Sequence, residues 1–293
     1  MNSKNKNCLI CGSEKLKQLS GYYERHELVA CKNCGFVFME RIPTLDELNA
    51  YYSKYSYSES DYMSPITIRI YNLWLDEFER YRKNNKILDV GCGRGWFLQE
   101  AKKRGWEVYG TEFSEAAIEL CESEGIKMTG GQLTSDSFHA EEFDVITSIE
   151  VIEHINNPKE EIAYIHKFLR KGGMFYCTTP NFNSYLRFYL KADYDIIKYP
   201  EHLSFYTRAT LKRLLNKQGF KTKKVLTTGI SVTRLNVVKK PSNEPWDLKE
   251  SDDEKLRRRI DGKWYMEYLK ILINKFLTIF GIGMSLKGYF IKK

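Results

Sequence analysis

The stretch ILDVGCGRGWFL, Ile87 to Leu98, decides the fold. An apolar run ends in Asp89, the chain passes through Gly91, Gly93 and Gly95, and an amphipathic segment follows. Glycines at this spacing let the backbone approach a ligand closely, and the turn exposes amides at the start of a helix. Nicotinamide enzymes carry a related G-x-G-x-x-G turn, but here the third glycine comes two residues after the second. An acid at the strand end repels a phosphate and favours a ligand with a cationic amino group.

Outward from this turn, short apolar runs alternate with amphipathic segments. Strands are expected near 87–91, 107–111, 143–148 and 174–178, with helices between them. Gly105, Gly125 and the pair Gly172 and Gly173 stand where each helix should stop. A helix over about 207–218 should end at Gly219, and strands near 221–227 and 231–238 should close the sheet. The pattern is that of an α/β, doubly wound domain with a mostly parallel sheet.

The first forty residues have a different texture. Cys8 and Cys11 form one C-x-x-C pair, Cys31 and Cys34 another, with nineteen residues between the pairs. Each pair places two sulfurs on one side of a tight turn, which suits a closed four-thiolate zinc site. Gly12 and Gly35 follow the second cysteine of each pair, where a knuckle needs positive φ. Cys92, Cys121 and Cys177 are scattered and read as small core residues. The expected organisation is a zinc module over 1–42, a helical, Tyr-rich connector over 43–85, the α/β domain over 86–240 and a helical, apolar and basic tail over 241–293.

At 293 residues with 42% hydrophobic and 29% charged residues, the chain has a globular composition and needs no disulfide staples. The polar start MNSKNKNCLICG lacks the apolar run of a secretory signal, so a cytoplasmic location is expected. The net charge of +8 permits an anionic partner without selecting one.

With these motifs in place, the sequence resembles the class I S-adenosylmethionine-dependent methyltransferases over about residues 86–240. DVGCGRG is similar to the glycine-rich first motif of that family. The resemblance implies a seven-stranded, mostly parallel sheet, with Asp89, Gly91, Cys92 and Gly93 facing the cofactor. It also implies that Glu112, at the end of the second strand, holds the ribose hydroxyls beside Phe113. Gln132 and Leu133 would contact adenine, and Ser148, Ile149 and Glu150 would line the methionine end. His154 reads as an anchor for its helix rather than a catalyst.

The segment YPEHLSFYT, Tyr199 to Thr207, follows the fifth strand and should sit at the same carboxyl edge of the sheet. A methyl donor is already electrophilic, so the protein chiefly has to align an acceptor and remove its proton. Tyr199, Glu201 and His202, together with the four-cysteine module, resemble the zinc-containing sugar C-methyltransferases that act on keto-sugar nucleotides. That resemblance implies His202 as base and Glu201 and Tyr199 as acceptor-positioning groups. Those enzymes continue into a further large C-terminal domain. This chain has only 241–293 after the core, which moves the expectation from carbon to the hydroxyl of a nucleotide sugar or surface glycan.

Carbon methylation, a zinc-ribbon RNA methyltransferase and a non-catalytic zinc-dependent binding protein remain as alternatives. Nucleic acid is disfavoured because the first forty residues mix acids with bases and show no dense basic face. Tyr268 to Ile282 is apolar almost all round but shorter than a bilayer span. Two readings are open: packing on the domain or a partner, or peripheral membrane contact through residues 268–293.

Overall fold

The computed structural model describes residues 3–44, 47, 48, 51, 63–231 and 263–293. Near the N-terminus, β1 (Leu16–Gln18), α1 (Tyr23–His26), β2 (Leu28–Cys31) and β3 (Val37–Met39) form a small antiparallel unit around the two cysteine turns. The connector contributes α2 (Pro65–Phe78), which starts on a proline suited to a first helical turn. The helix buries Leu75 and Phe78 completely, and the ring of Trp74 packs 5.0 Å from that of Tyr176 in the main sheet. Tyr71 packs in the same place, against Trp74 and Phe97. The connector tyrosines between 52 and 62 lie outside the described residues.

The main sheet follows: β4 (Lys86–Val90), α3 (Trp96–Lys103), β5 (Glu107–Glu112), α4 (Glu115–Ser123), β6 (Lys127–Gly130), β7 (Phe143–Ile149), α5 (Pro158–Phe168) and β8 (Leu169–Pro180). Then come α6 (Tyr185–Leu190), the short β9 (Ser204–Phe205), α7 (Arg208–Lys217), β10 (Phe220–Thr228), α8 (Trp264–Phe280) and β11 (Ser285–Lys292). The seven strands order as β10-β11-β8-β7-β4-β5-β6, with β11 antiparallel to both neighbours and the β8-β7-β4-β5-β6 run parallel. The central strands bury both faces: Ile87, Leu88, Val145, Ile146, Phe175 and Tyr176 are fully enclosed, as a parallel sheet covered by helices requires.

Two boundaries differ from the sequence reading. The expected helix running to Gly172 and Gly173 ends at Phe168, because Leu169 already pairs with Phe143 across the sheet. Here sheet pairing overrides an amphipathic pattern that continues past the true end of the helix. The seventh strand is Ser285–Lys292, which threads between β8 and β10, so the end of the chain is part of the domain's sheet. Of the strand expected near 231–238, residues 232–238 lie outside the described residues.

β9 does not join the main sheet. It pairs with β3 of the N-terminal unit, Val37 opposite Phe205 and Phe38 opposite Ser204, making a four-stranded sheet β1-β2-β3-β9. The backbone N–H of Met39 extends the pairing to the carbonyl of Leu203 at 2.9 Å. Phe36 and Phe38 are fully buried, and the ring of Phe36 lies 5.1 Å from that of Tyr206. The cysteine unit is therefore built onto the loop that carries Glu201 and His202.

Candidate active site and cysteine cluster

The parallel register brings the ends of four strands to one edge. Asp89 stands opposite Gly110, Val90 opposite Thr111 and Ser148, and Glu112 opposite Gly130. Between β4 and α3 the chain turns through Gly91, Gly93 and Gly95, with φ of 67°, 53° and 70°, angles that favour glycine. Side chains are also barred by space: a Cβ on Gly91 would lie 2.7 Å from Val151, and one on Gly95 would lie 2.6 Å from Ile126. The loop is held from β5, where the hydroxyl of Thr111 accepts from the amide of Gly91 at 3.3 Å and its carbonyl from that of Cys92 at 3.0 Å. Cys121 and Cys177 are fully buried and Cys92 is half-buried beside Met128, consistent with packing.

Asp89 is buried beneath this loop. The hydroxyl of Thr147 donates to its Oδ1 at 2.6 Å, yet burial dominates and pushes its carboxyl up to about 7, with the Glu112 charge adding to the rise. Glu112 lies across the mouth of the loop. Its Oε2 accepts from the amide of Gly93 at 3.0 Å, and its Oε1 from the amides of Phe113 and Ser114 at 2.8 and 3.2 Å. Phe113 beside it is 69% exposed, a bare aromatic face at the rim. The carbonyl of Glu112 accepts from the amide of Gly131 at 2.8 Å, which draws Gln132 and Leu133 alongside. Ser148 is buried at the end of β7, Ile149 is half-buried, and Glu150 is exposed with φ of 55°. All eleven residues expected to face the cofactor thus come from one contiguous edge.

The loop carrying Glu201 and His202 reaches the same edge through a 3-10 turn, Ile152–His154, that follows β7 directly. Nδ1 of His154 donates to the carbonyl of Glu201 at 2.7 Å, and the amide of Leu203 donates to the carbonyl of Glu153 at 2.8 Å. The rings of His154 and His202 meet edge to face at 4.8 Å. Burial, with the positive potential of His202, lowers the His154 imidazole to about 4, so His154 stays neutral and anchors the loop. The nearby Glu153 carboxyl is fully enclosed, and burial raises it well above the usual range, with Glu150 adding repulsion.

His202 donates from Nδ1 to the carbonyl of Ile196 at 2.7 Å, which assigns the basic lone pair to Nε2. The carboxylate of Glu201 is held against burial by a short hydrogen bond from the Tyr51 hydroxyl and an ion pair with Lys198 at 2.9 Å. These contacts and His202 lower it to about 2. Tyr199 does not turn its hydroxyl to Glu201; it donates to Glu47 at 2.9 Å, beneath the Arg41 guanidinium 4.4 Å from its ring. The peptide bond to Pro200 is cis. Sequence reading missed Tyr51, Thr147 and Glu153. Only Thr147, one residue before Ser148, carried a local hint.

At the far side of β3, the sulfurs of Cys8, Cys11, Cys31 and Cys34 lie within 4.8 Å of one another. Cys8 and Cys34 are 3.5 Å apart and Cys11 and Cys31 3.6 Å, far beyond a disulfide bond of about 2.05 Å. A tetrahedral zinc with bonds of about 2.3 Å would set such distances near 3.8 Å, so the four residues fit that ion. Their protonation is uneven. Burial raises Cys8 and brings Cys34 up to about 11, whereas hydrogen bonding from Ser13 and the neighbouring sulfurs draws Cys11 down to about 7 against its own burial.

A seven-stranded sheet with one reversed strand, a glycine turn after the first strand and an acid ending the second define a class I S-adenosylmethionine-dependent methyltransferase. The chain belongs to the methyltransferase-domain family whose model matches residues 67–225. It is 30% identical over 173 residues to the ubiquinone biosynthesis O-methyltransferase of Aromatoleum aromaticum, covering 54% of this chain and 73% of that protein. The enzyme of the same name from Pseudomonas aeruginosa strain LESB58 is 30% identical over 130 residues, covering 41% of this chain and 56% of its own length. A crystal structure of a methyltransferase from Archaeoglobus fulgidus superposes with a TM-score of 0.53 at 19% identity, over 78% of this chain and 93% of that one, and supports the fold.

Proposed function

We propose that this enzyme transfers a methyl group to an oxygen of a small organic acceptor, with Nε2 of His202 removing the acceptor's proton. The observation that carries this reading is the fixed tautomer of His202, set by Ile196, on a loop tied by two hydrogen bonds to the turn after β7. S-adenosylmethionine, when bound, supplies an electrophilic methyl. Asp89 would face its amino group and Glu112 its ribose hydroxyls. Gln132, Leu133 and the exposed ring of Phe113 would flank adenine, with Ser148 to Glu150 at the methionine end. Once His202 takes a proton, the ionised Glu201 beside it stabilises the new positive charge. Tyr51 and Lys198 keep that carboxylate oriented, while Glu47 and Arg41 hold Tyr199 and hence the start of the loop.

Zinc on Cys8, Cys11, Cys31 and Cys34 completes the acceptor side in this reading. Bound there it would fix the β2–β3 hairpin, whose strand β3 pairs with Leu203 to Phe205. The name shared by the curated relatives supports oxygen as the acceptor atom. The Tyr199, Glu201, His202 pattern supports a sugar acceptor, and the relatives add an acceptor of ubiquinone biosynthesis. Incubation with S-adenosylmethionine carrying a ¹³C methyl, a panel of nucleotide sugars and phenols, and carbon NMR of the products decides the matter. A methoxyl resonance is expected. Label appearing only on carbon, or on none of the panel, would overturn the oxygen assignment.

A further inference from the structure

α8 is mounted inside out. Two uncharged polar side chains face the domain: Asn274 accepts from the amide of Gly229 at 3.0 Å, and the Thr278 hydroxyl donates to the carbonyl of Thr227 at 2.9 Å. Arg208 caps the same stretch through the carbonyl of Thr278 at 2.7 Å, and Glu267 is bonded to Arg69 at 2.7 Å. Leu277 is the one buried residue of the helix. Its large apolar side chains point away from the domain, with Trp264 82%, Tyr268 60%, Phe276 54% and Ile279 67% exposed. At about 100° per residue Tyr265, Tyr268, Leu272, Phe276 and Ile279 fall within about 80° of one another, so they form one exposed apolar stripe along the helix. An ordinary surface helix does the reverse.

A second exposed apolar pair lies on a neighbouring helix. The amide of Tyr185 donates to the carbonyl of Ile282 at 3.0 Å, bringing α6 to the C-terminal end of α8, and α6 carries the exposed Phe188 and Tyr189. Charge accompanies it: Lys263 and Lys270 are exposed and Lys275 is at the surface, while the single acid of the helix, Glu267, is occupied by Arg69. At seventeen residues α8 is too short to span a bilayer, and no helix among the described residues is long and apolar enough to cross one.

We infer that α8 is a docking helix for a lipid surface with anionic headgroups, lying flat with its aromatic stripe among the acyl chains and its lysines at the phosphates. Charge complementarity selects this occupant, since a second copy would bring the same lysines against one another. The orientation also has a consequence for the site. α6 is joined to the acceptor loop through Ser184, whose hydroxyl donates to that of Tyr194 at 2.8 Å, so docking would hold the acceptor side near the lipid.

The inference stands apart from the acceptor reading and is tested without turnover. The full-length chain is floated with vesicles of phosphatidylcholine alone or with added phosphatidylglycerol, beside a Leu272→Asp, Phe276→Asp double variant. Both substituted side chains are exposed, and S-adenosylhomocysteine titration checks that the variant folds. The unaltered chain should float with the anionic vesicles, and the double variant should do so at least about tenfold less. High salt should also reduce the effect. Absence of flotation would overturn the inference. So would a concentration-dependent dimer that the double variant abolishes, which would make the stripe a contact between copies. A chain that neither dimerises nor floats would overturn it as well, and would point to residues 232–262 as the cover of the stripe.

Discussion

Replacing Glu112 by alanine should weaken cofactor binding while leaving the fold intact. In the structure Glu112 accepts three backbone hydrogen bonds, one of them from Gly93 in the glycine loop. On binding, the carboxylate is expected to exchange the Gly93 amide for two ribose hydroxyls, a net gain of one charge-assisted hydrogen bond. Such a bond contributes about 1.5–3 kcal/mol, which corresponds to about 10- to 150-fold in Kd. The amides of Gly93, Phe113 and Ser114 lie at the open edge where water can replace the carboxylate, so the stability loss should stay near 1 kcal/mol. Glu112→Asp should fall between the two proteins. Calorimetric titration with S-adenosylhomocysteine measures the affinities, and thermal melting checks the fold. A folded Glu112→Ala protein with Kd within about twofold of the original would refute the ribose role and the reasoning from the strand end.

Two further outcomes are expected. The folded-state pKa of Asp89 is raised to about 7 from 3.8, so the native state holds a proton that the unfolded chain has lost, and the contribution of Asp89 to stability declines as pH rises through that window. Asp89→Asn removes this penalty. The melting stability of the variant relative to the parent should therefore rise by up to about 1.4 kcal/mol per pH unit between about 4 and 7, and a flat difference would show that the site is not desolvated. Metal analysis should find one zinc per chain, and stripping it should increase hydrogen exchange both in Leu28–Met39 and in Leu203–Phe205, because β9 depends on β3. Loss of protection confined to the cysteine turns would separate the module from the acceptor loop.

What could be read from the sequence was what depends on local geometry. The turn after Asp89 declares itself because three closely spaced positions need positive φ, and Glu112 is legible as the acid ending the second strand, where the family resemblance implies a ribose ligand. The cysteine cluster is legible for the same reason, each knuckle being four residues long. Contacts distant in the chain left no such trace. Tyr51 meets Glu201 across 150 positions and His154 meets it across 47, and no periodicity announces either. Tyr199 reads as an acceptor-positioning group through the family resemblance of its spacing to Glu201 and His202, and its hydrogen bond to Glu47, 152 positions away, left no mark in the sequence. The last strand was hidden behind α8: the apolar stripe dominated the reading of the tail, although Leu286, Gly288 and Phe290 alternate in the manner of a buried strand. α8 itself gave no hint of its orientation, since a helix apolar on most sides does not reveal which side the domain will take.

The central claim is that His202 removes the proton from an oxygen acceptor at a site whose cofactor side is independent of it. The most direct measurement is the turnover of His202→Gln beside its affinity for S-adenosylhomocysteine, with the acceptor identified by labelled methyl transfer. Turnover should fall by about 10²- to 10⁴-fold while the affinity stays unchanged. Undiminished turnover with intact affinity would contradict the claim.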